Sequence, residues 1–228
     1  MVNHKAPFRV LAIFGTRPEA IKMLPLVKAL KEDPRFACRV AVTAQHREML
    51  DQVMEIFNVT ADYDLNIMAP GQTLYDITAR AVKGLEKVLE QSSPDLVLVH
   101  GDTSTTFIGA LAAFYGQIPV AHVEAGLRSG NKYSPFPEEM NRRLTGVIAD
   151  LHLAPTVTAK TNLMQEGVEE GRIYITGNTV IDALQWAVRQ PCPPTEDTRR
   201  VDELLKKMLD QGHLSRLLTV TCHRRENL

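Results

Sequence analysis

Short β-branched runs alternate with longer helical stretches through about 190 residues of this chain, which points to a parallel sheet with helices on both faces. Arg9–Phe14 (RVLAIF) reads as a buried strand and Gly15-Thr16 as the turn after it. Pro18 then sits where a first helical residue belongs, because its missing N–H is not needed there. Ile21, Leu24, Leu26, Val27 and Leu30 carry an apolar face to about Lys31, and Pro25 is expected to kink it. Val40–Thr43, Leu96–His100, Pro119–Val123, Leu151–Leu153 and Arg172–Thr176 read as further strands. The helices between them are His46–Phe57, Thr73–Glu90, Ser104–Tyr115, Glu138–Ala149, Val157–Glu166 and Thr179–Arg189.

The composition then changes. Gln190–Asp197 (QPCPPTED) holds three prolines and reads as a linker, followed by a helix at Arg199–Leu209 and a strand at Leu217–Thr221. The expected organisation is an α/β domain over residues 1–189, a proline-rich linker over 190–198 and the start of a second domain over 199–228. The 228-residue length agrees, because roughly 150 residues per domain gives about one and a half domains.

Charge and composition exclude several function classes. The 26 Lys and Arg against 27 Asp and Glu leave a net charge of −1, so no basic field grips nucleic acid and no polybasic run meets a membrane surface. No apolar stretch is long enough to span a bilayer, and Met1–Pro7 is too polar for a secretory signal. Cys38, Cys192 and Cys222 are odd in number and far apart, which fits a reducing cytoplasm and gives no metal-ligand spacing.

Ligands of open α/β sheets bind beyond the carboxyl ends of the strands, so the residues after each strand are the candidates. After the first strand, Arg17 at a helix N-terminus and Lys22 one turn further on would hold a phosphate or carboxylate; an ordinary turn with exposed charges reads equally. Two neighbouring segments end in His-x-acid, His100-Gly101-Asp102 and His122-Val123-Glu124. Strand alternation would put His100 and Asp102 on one face, and likewise His122 and Glu124. If the strands are neighbours, two carboxylates meet at one sheet edge, where like charges raise at least one pKa and suit acid–base work. Asp102 before Thr103-Ser104 reads also as a helix cap. The His-acid pairs also invite a metal reading, with no third motif to complete a ligand set. Glu138 and Glu139 open a helix after a proline-rich loop; first-turn acids complement the helix dipole, yet Glu138 could reach the site as a third carboxylate. His223, with Arg224 and Arg225 beyond the last strand, suits a phosphate contact and proton donor, or a solvated charge run. Asn178 or Thr179 would cap the helix after Arg172–Thr176.

Taken in order, GTRPEAIKM (Gly15–Met23), TAQHREMLDQV (Thr43–Val53), HGDTSTT (His100–Thr106), HVEAGLRSG (His122–Gly130), YSPFPEEMNRRL (Tyr133–Leu144), ITGNTVIDAL (Ile175–Leu184) and CHRREN (Cys222–Asn227) closely resemble the bacterial non-hydrolysing UDP-N-acetylglucosamine 2-epimerases. The departures are mild: Ser104, Ser129, Phe136 and Cys222 replace residues more frequent in the family, and none removes a charged group.

The resemblance implies a Rossmann-like first domain of a two-domain, GT-B-like architecture with the site in the cleft between domains. It implies interconversion of UDP-GlcNAc and UDP-ManNAc without a cofactor or metal, by elimination of UDP to 2-acetamidoglucal and re-addition with C2 inverted. It makes Asp102, Glu124 and Glu138 the catalytic carboxylates, without saying which is base and which acid. It makes His223 the helper of the leaving UDP, and Arg17 and Lys22 substrate-binding residues. Gln45 and His46 resemble the contact region for a second, allosteric UDP-GlcNAc. It further implies a cytoplasmic homodimer serving cell-surface polysaccharide synthesis. A hydrolysing relative, releasing UDP and ManNAc, and a silent sugar-nucleotide-binding module are the alternatives. Because the family's members are longer, most of the nucleotide-binding second domain is expected to be missing, and the 228 residues alone to turn over little substrate.

Overall fold

The computed structural model describes residues 6–43, 47–69, 71–191 and 195–212. Seven strands form one parallel sheet: β1 (Phe8–Phe14), β2 (Phe36–Val42), β3 (Tyr63–Asp64), β4 (Leu96–His100), β5 (Val120–Val123), β6 (Leu151–Ala154) and β7 (Ile173–Ile175). Their order is β3-β2-β1-β4-β5-β6-β7. The helices are α1 (Arg17–Glu32), α2 (Arg47–Ile56), α3 (Leu74–Ser92), α4 (Ser104–Tyr115), α5 (Glu138–Ile148), α6 (Val157–Gln165), α7 (Val180–Ala187) and α8 (Glu196–Asp210). The parallel sheet with helices on both faces expected from the alternation is what the chain adopts, and it is Rossmann-like as the resemblance implies.

Period-2 alternation splits the core between the two faces. Val10, Ala12 and Phe14 of β1 pack with Ala20, Met23, Leu24 and Val27 of α1 and with α2. Leu11 and Ile13 face the other way, against Ala81 and Leu85 of α3 and Ile108 and Ala112 of α4. A strand buried on both sides reads as a continuous apolar run, as β1 and β4 do. Strand β3 escaped the sequence reading because two residues carry no periodic signal. Helix α1 begins at Arg17, so Pro18 is its second residue, and it continues through Pro25 although that residue gives no N–H to the Ile21 carbonyl.

The chain separates into two compact units, Met1–Trp186 and Ala187–Leu228. In the second, α8 starts at Glu196, three residues inside the stretch read as linker, because Thr195 caps it by accepting from the Thr198 amide at 3.1 Å. The expected strand Leu217–Thr221 lies outside the described residues. Among the described residues, no helix is long and apolar enough to cross a membrane.

Candidate active site

The strand order reverses between β1 and β4, each being followed by connections that leave in opposite directions along the sheet. Such a switch point opens a crevice at the carboxyl ends of its two strands. The turns that border it are Gly15-Thr16 after β1 and Gly101–Thr103 after β4, with β5 ending alongside.

Glu19 joins the two turns. It is fully buried on α1 and accepts from the Gly15 amide at 3.0 Å, the Thr16 amide and hydroxyl at 2.8 Å each, and the Thr103 hydroxyl at 2.8 Å. A side chain at Gly15 would not fit, since a Cβ there would lie 2.0 Å from Thr43 Oγ1 and 2.5 Å from Thr105 Oγ1. The one sequence signal for Glu19 is local: Thr16-x-x-Glu19 is the spacing of a capping box, which says nothing of the Thr103 contact.

The His-x-acid pairs are crossed rather than parallel. In the β4–β5 ladder Val99 lies opposite His122 and His100 opposite Val123, so the two histidines occupy opposite faces. Alternation beyond β5 is also broken, because Glu124 has a left-handed backbone with φ +60°. The Glu124 carboxylate comes to lie 3.7 Å from the ring of His100, not beside His122. His122 is buried behind the sheet, its Nε2 2.7 Å from the Gly101 carbonyl. The expectation that each histidine shares a face with the acid after it fails for His122 and Glu124. The metal reading built on that expectation fails with it, and among the described residues no group of three metal-ligating side chains converges.

Glu124 is the most heavily engaged of Asp102, Glu124 and Glu138. Lys22 Nζ meets its two oxygens at 2.8 and 2.6 Å, and Asn178 donates to it at 2.7 Å. Burial opposes its ionisation, but the neighbouring His100 ring and the Lys22 ammonium outweigh that and hold its pKa down to about 2. Asp102 moves the other way. Burial raises its pKa, the Arg142 guanidinium at 3.3 Å opposes the rise, and the charges of Glu138 and Glu124 add to it. Two carboxyl groups with pKa values driven apart can divide acid and base roles between them.

Helix α5 supplies the third side. Asn141 donates to the Asp102 carbonyl at 2.9 Å. Arg142 lies 3.3 Å from the fully buried Glu139, which also accepts from the Ser129 amide at 3.0 Å. Among the described residues no donor meets the buried Oε2 of Glu138. Asp102, Glu124, Glu138 and Lys22 are therefore brought together, and Arg17 is exposed at the first position of α1. Asn141, Arg142 and Asn178 were not singled out as site residues in sequence, because polar helix positions of this kind read as solvent-facing or as caps. Gln45, His46 and His223 lie outside the described residues.

Comparison with known proteins meets this geometry. A family model described as UDP-N-acetylglucosamine 2-epimerase matches residues 28–228. The UDP-N-acetylglucosamine 2-epimerase of Escherichia coli strain K12 is 55% identical over 219 residues, which cover 96% of this chain and 57% of that protein. The Bacillus subtilis strain 168 enzyme of the same name is 54% identical over 220 residues, covering 96% of this chain and 55% of that one. Among solved structures, the Neisseria meningitidis UDP-GlcNAc 2-epimerase bound to UDP-GlcNAc aligns with a TM-score of 0.85 at 50% identity, over 96% of this chain and 58% of that chain. The chain thus spans little more than half the length of the curated relatives it matches. With a family match across most of its residues and the same fold at half identity, the chain belongs to the UDP-N-acetylglucosamine 2-epimerase family.

Proposed function

We propose that the full-length protein interconverts UDP-GlcNAc and UDP-ManNAc by eliminating UDP to 2-acetamidoglucal and returning it after C2 has been reprotonated on the opposite face. What supports this reading is the convergence of Asp102, Glu124 and Glu138 beside Lys22 at the switch point of the sheet. Removal of the C2 proton needs a carboxylate base, and the raised pKa of Asp102 makes it the stronger base of the pair. Glu124, held ionised by Lys22, is the weaker base and an electrostatic partner for charge that develops on the sugar. Glu138 serves the opposite face of C2. Lys22 and Arg17 bind the diphosphate, and His223 assists UDP departure. Gln45 and His46 contact a second, activating UDP-GlcNAc. The reading includes a cytoplasmic homodimer that supplies UDP-ManNAc to surface polysaccharide synthesis.

The test is incubation of the full-length protein with UDP-GlcNAc in D2O, followed by proton NMR. Formation of UDP-ManNAc with deuterium at C2 is expected. Accumulation of free UDP and ManNAc would instead make the protein a hydrolysing relative. Asp102→Asn and Glu124→Gln are each expected to lower kcat by about 100-fold or more. Unchanged turnover in either removes that residue from the mechanism.

A further inference from the structure

His122 takes no part in the proposed chemistry, yet its side chain is completely buried. It lies on β5, directly opposite Val99 of β4 and His152 of β6, on the face away from His100. Its side chain makes one hydrogen bond among the described residues, from Nε2 to the Gly101 carbonyl at 2.7 Å. A carbonyl oxygen cannot donate, so Nε2 carries the proton and Nδ1 keeps its lone pair. Burial pushes the imidazole down to about 3, which leaves the ring neutral at working pH.

The other side of the same residue is held as well. The Gly101 amide donates to the Val123 carbonyl at 2.9 Å, so Gly101 is gripped at its N–H by residue 123 and at its C=O by residue 122. Gly101 has φ +70°, a backbone that only glycine adopts without cost, and Asp102 follows it directly. Glu124 follows Val123 on the gripping strand. The place a Cβ of Gly101 would occupy is 4.0 Å from Glu124 Oε1, so the gripped turn lies beside that carboxylate.

We propose that His122 is a positioning residue: by donating from Nε2 to the Gly101 carbonyl it sets the turn carrying Asp102 in register with the strand end carrying Glu124. It touches neither carboxylate and acts only through the peptide between them. The proposal rests on the epimerase reading for its kinetic readout, though not for its structural one. Asp102 and Glu124 stand at the ends of different strands, so their spacing depends on how the two ends are tied together, and a misplacement of about 1 Å is enough to cost on the order of 100-fold in rate.

The experiment compares His122→Phe, which keeps the ring and loses the donor, with His122→Gln, whose amide reaches the place of Nε2. In the full-length protein, His122→Phe is expected to lower kcat about 10- to 100-fold per folded molecule, with KM for UDP-GlcNAc changed by less than about threefold. His122→Gln is expected to recover most of that loss. Nitrogen-15 NMR of labelled histidine is expected to find His122 as the Nε2–H tautomer, uncharged from pH 5 to 8. Unchanged kcat in His122→Phe, a Gln variant no better than Phe, or an Nδ1–H or charged ring would each overturn the proposal. If His122→Phe does not fold, His122→Asn, too short to reach, replaces it against Gln. If the wild type makes no UDP-ManNAc, the epimerase reading falls by itself. The NMR signature and the crystallographic place of Asp102 in the variant then decide on His122.

Discussion

Lys22 and Glu124 form the ion pair on which the electrostatics of the site turn, with side chains only 23% and 12% exposed. The carboxyl of Glu124 titrates near 2 in the folded chain against an ordinary 4.5. A folded pKa below the unfolded one contributes stability above the unfolded value and loses it as pH falls through the folded one. The wild type is therefore expected to lose this contribution as pH drops from about 4.5 to about 2, and Glu124→Gln to lack that part of the acid sensitivity. Urea unfolding of both proteins at several pH values measures the difference; parallel curves would remove the pair from the acid response. Lys22→Ala leaves Glu124 partly buried without its cation, and its kcat is expected to fall on the order of 100-fold. Lys22 was legible in sequence as an anion-binding residue one turn into α1. Its partner was not, because the two are 102 residues apart.

At the scale of elements, Glu19 does for the β1 and β4 turns what His122 does for the β4 and β5 ends. Its carboxylate draws together two helix N-termini that come from distant parts of the chain. Glu19→Ala strands the Gly15 and Thr16 amides and the Thr103 hydroxyl, and is expected to cost roughly 2–4 kcal/mol in denaturant unfolding. A loss below about 0.5 kcal/mol would mean that solvent replaces those bonds. The local half of this arrangement, the capping box, was written in four consecutive residues, Thr16 to Glu19. The long-range half required α4 to arrive beside α1, which happens only because β4 inserts next to β1.

For the whole molecule, the sheet and the helices on both its faces draw their buried apolar residues from Val10 to Ala183. Both faces of β1 and β4 are covered by residues of the first unit, so a chain of residues 1–189 is expected to fold alone and unfold cooperatively. Circular dichroism during urea titration checks this; a gradual, non-cooperative loss of helix signal would place part of the fold's support elsewhere. What the sequence determined by itself was the parallel α/β class, most strand and helix positions and the turns that bear the acids. Those follow from periodicity and local turn chemistry, which act over a few residues. Only the tertiary structure decided which groups meet. The one-residue offset between β4 and β5 sends His100 and His122 to opposite faces, and the left-handed backbone at Glu124 turns its carboxylate toward Lys22. Strand register is a property of two segments pairing, and a shift of one residue exchanges their faces, so neither outcome could be read from either segment alone.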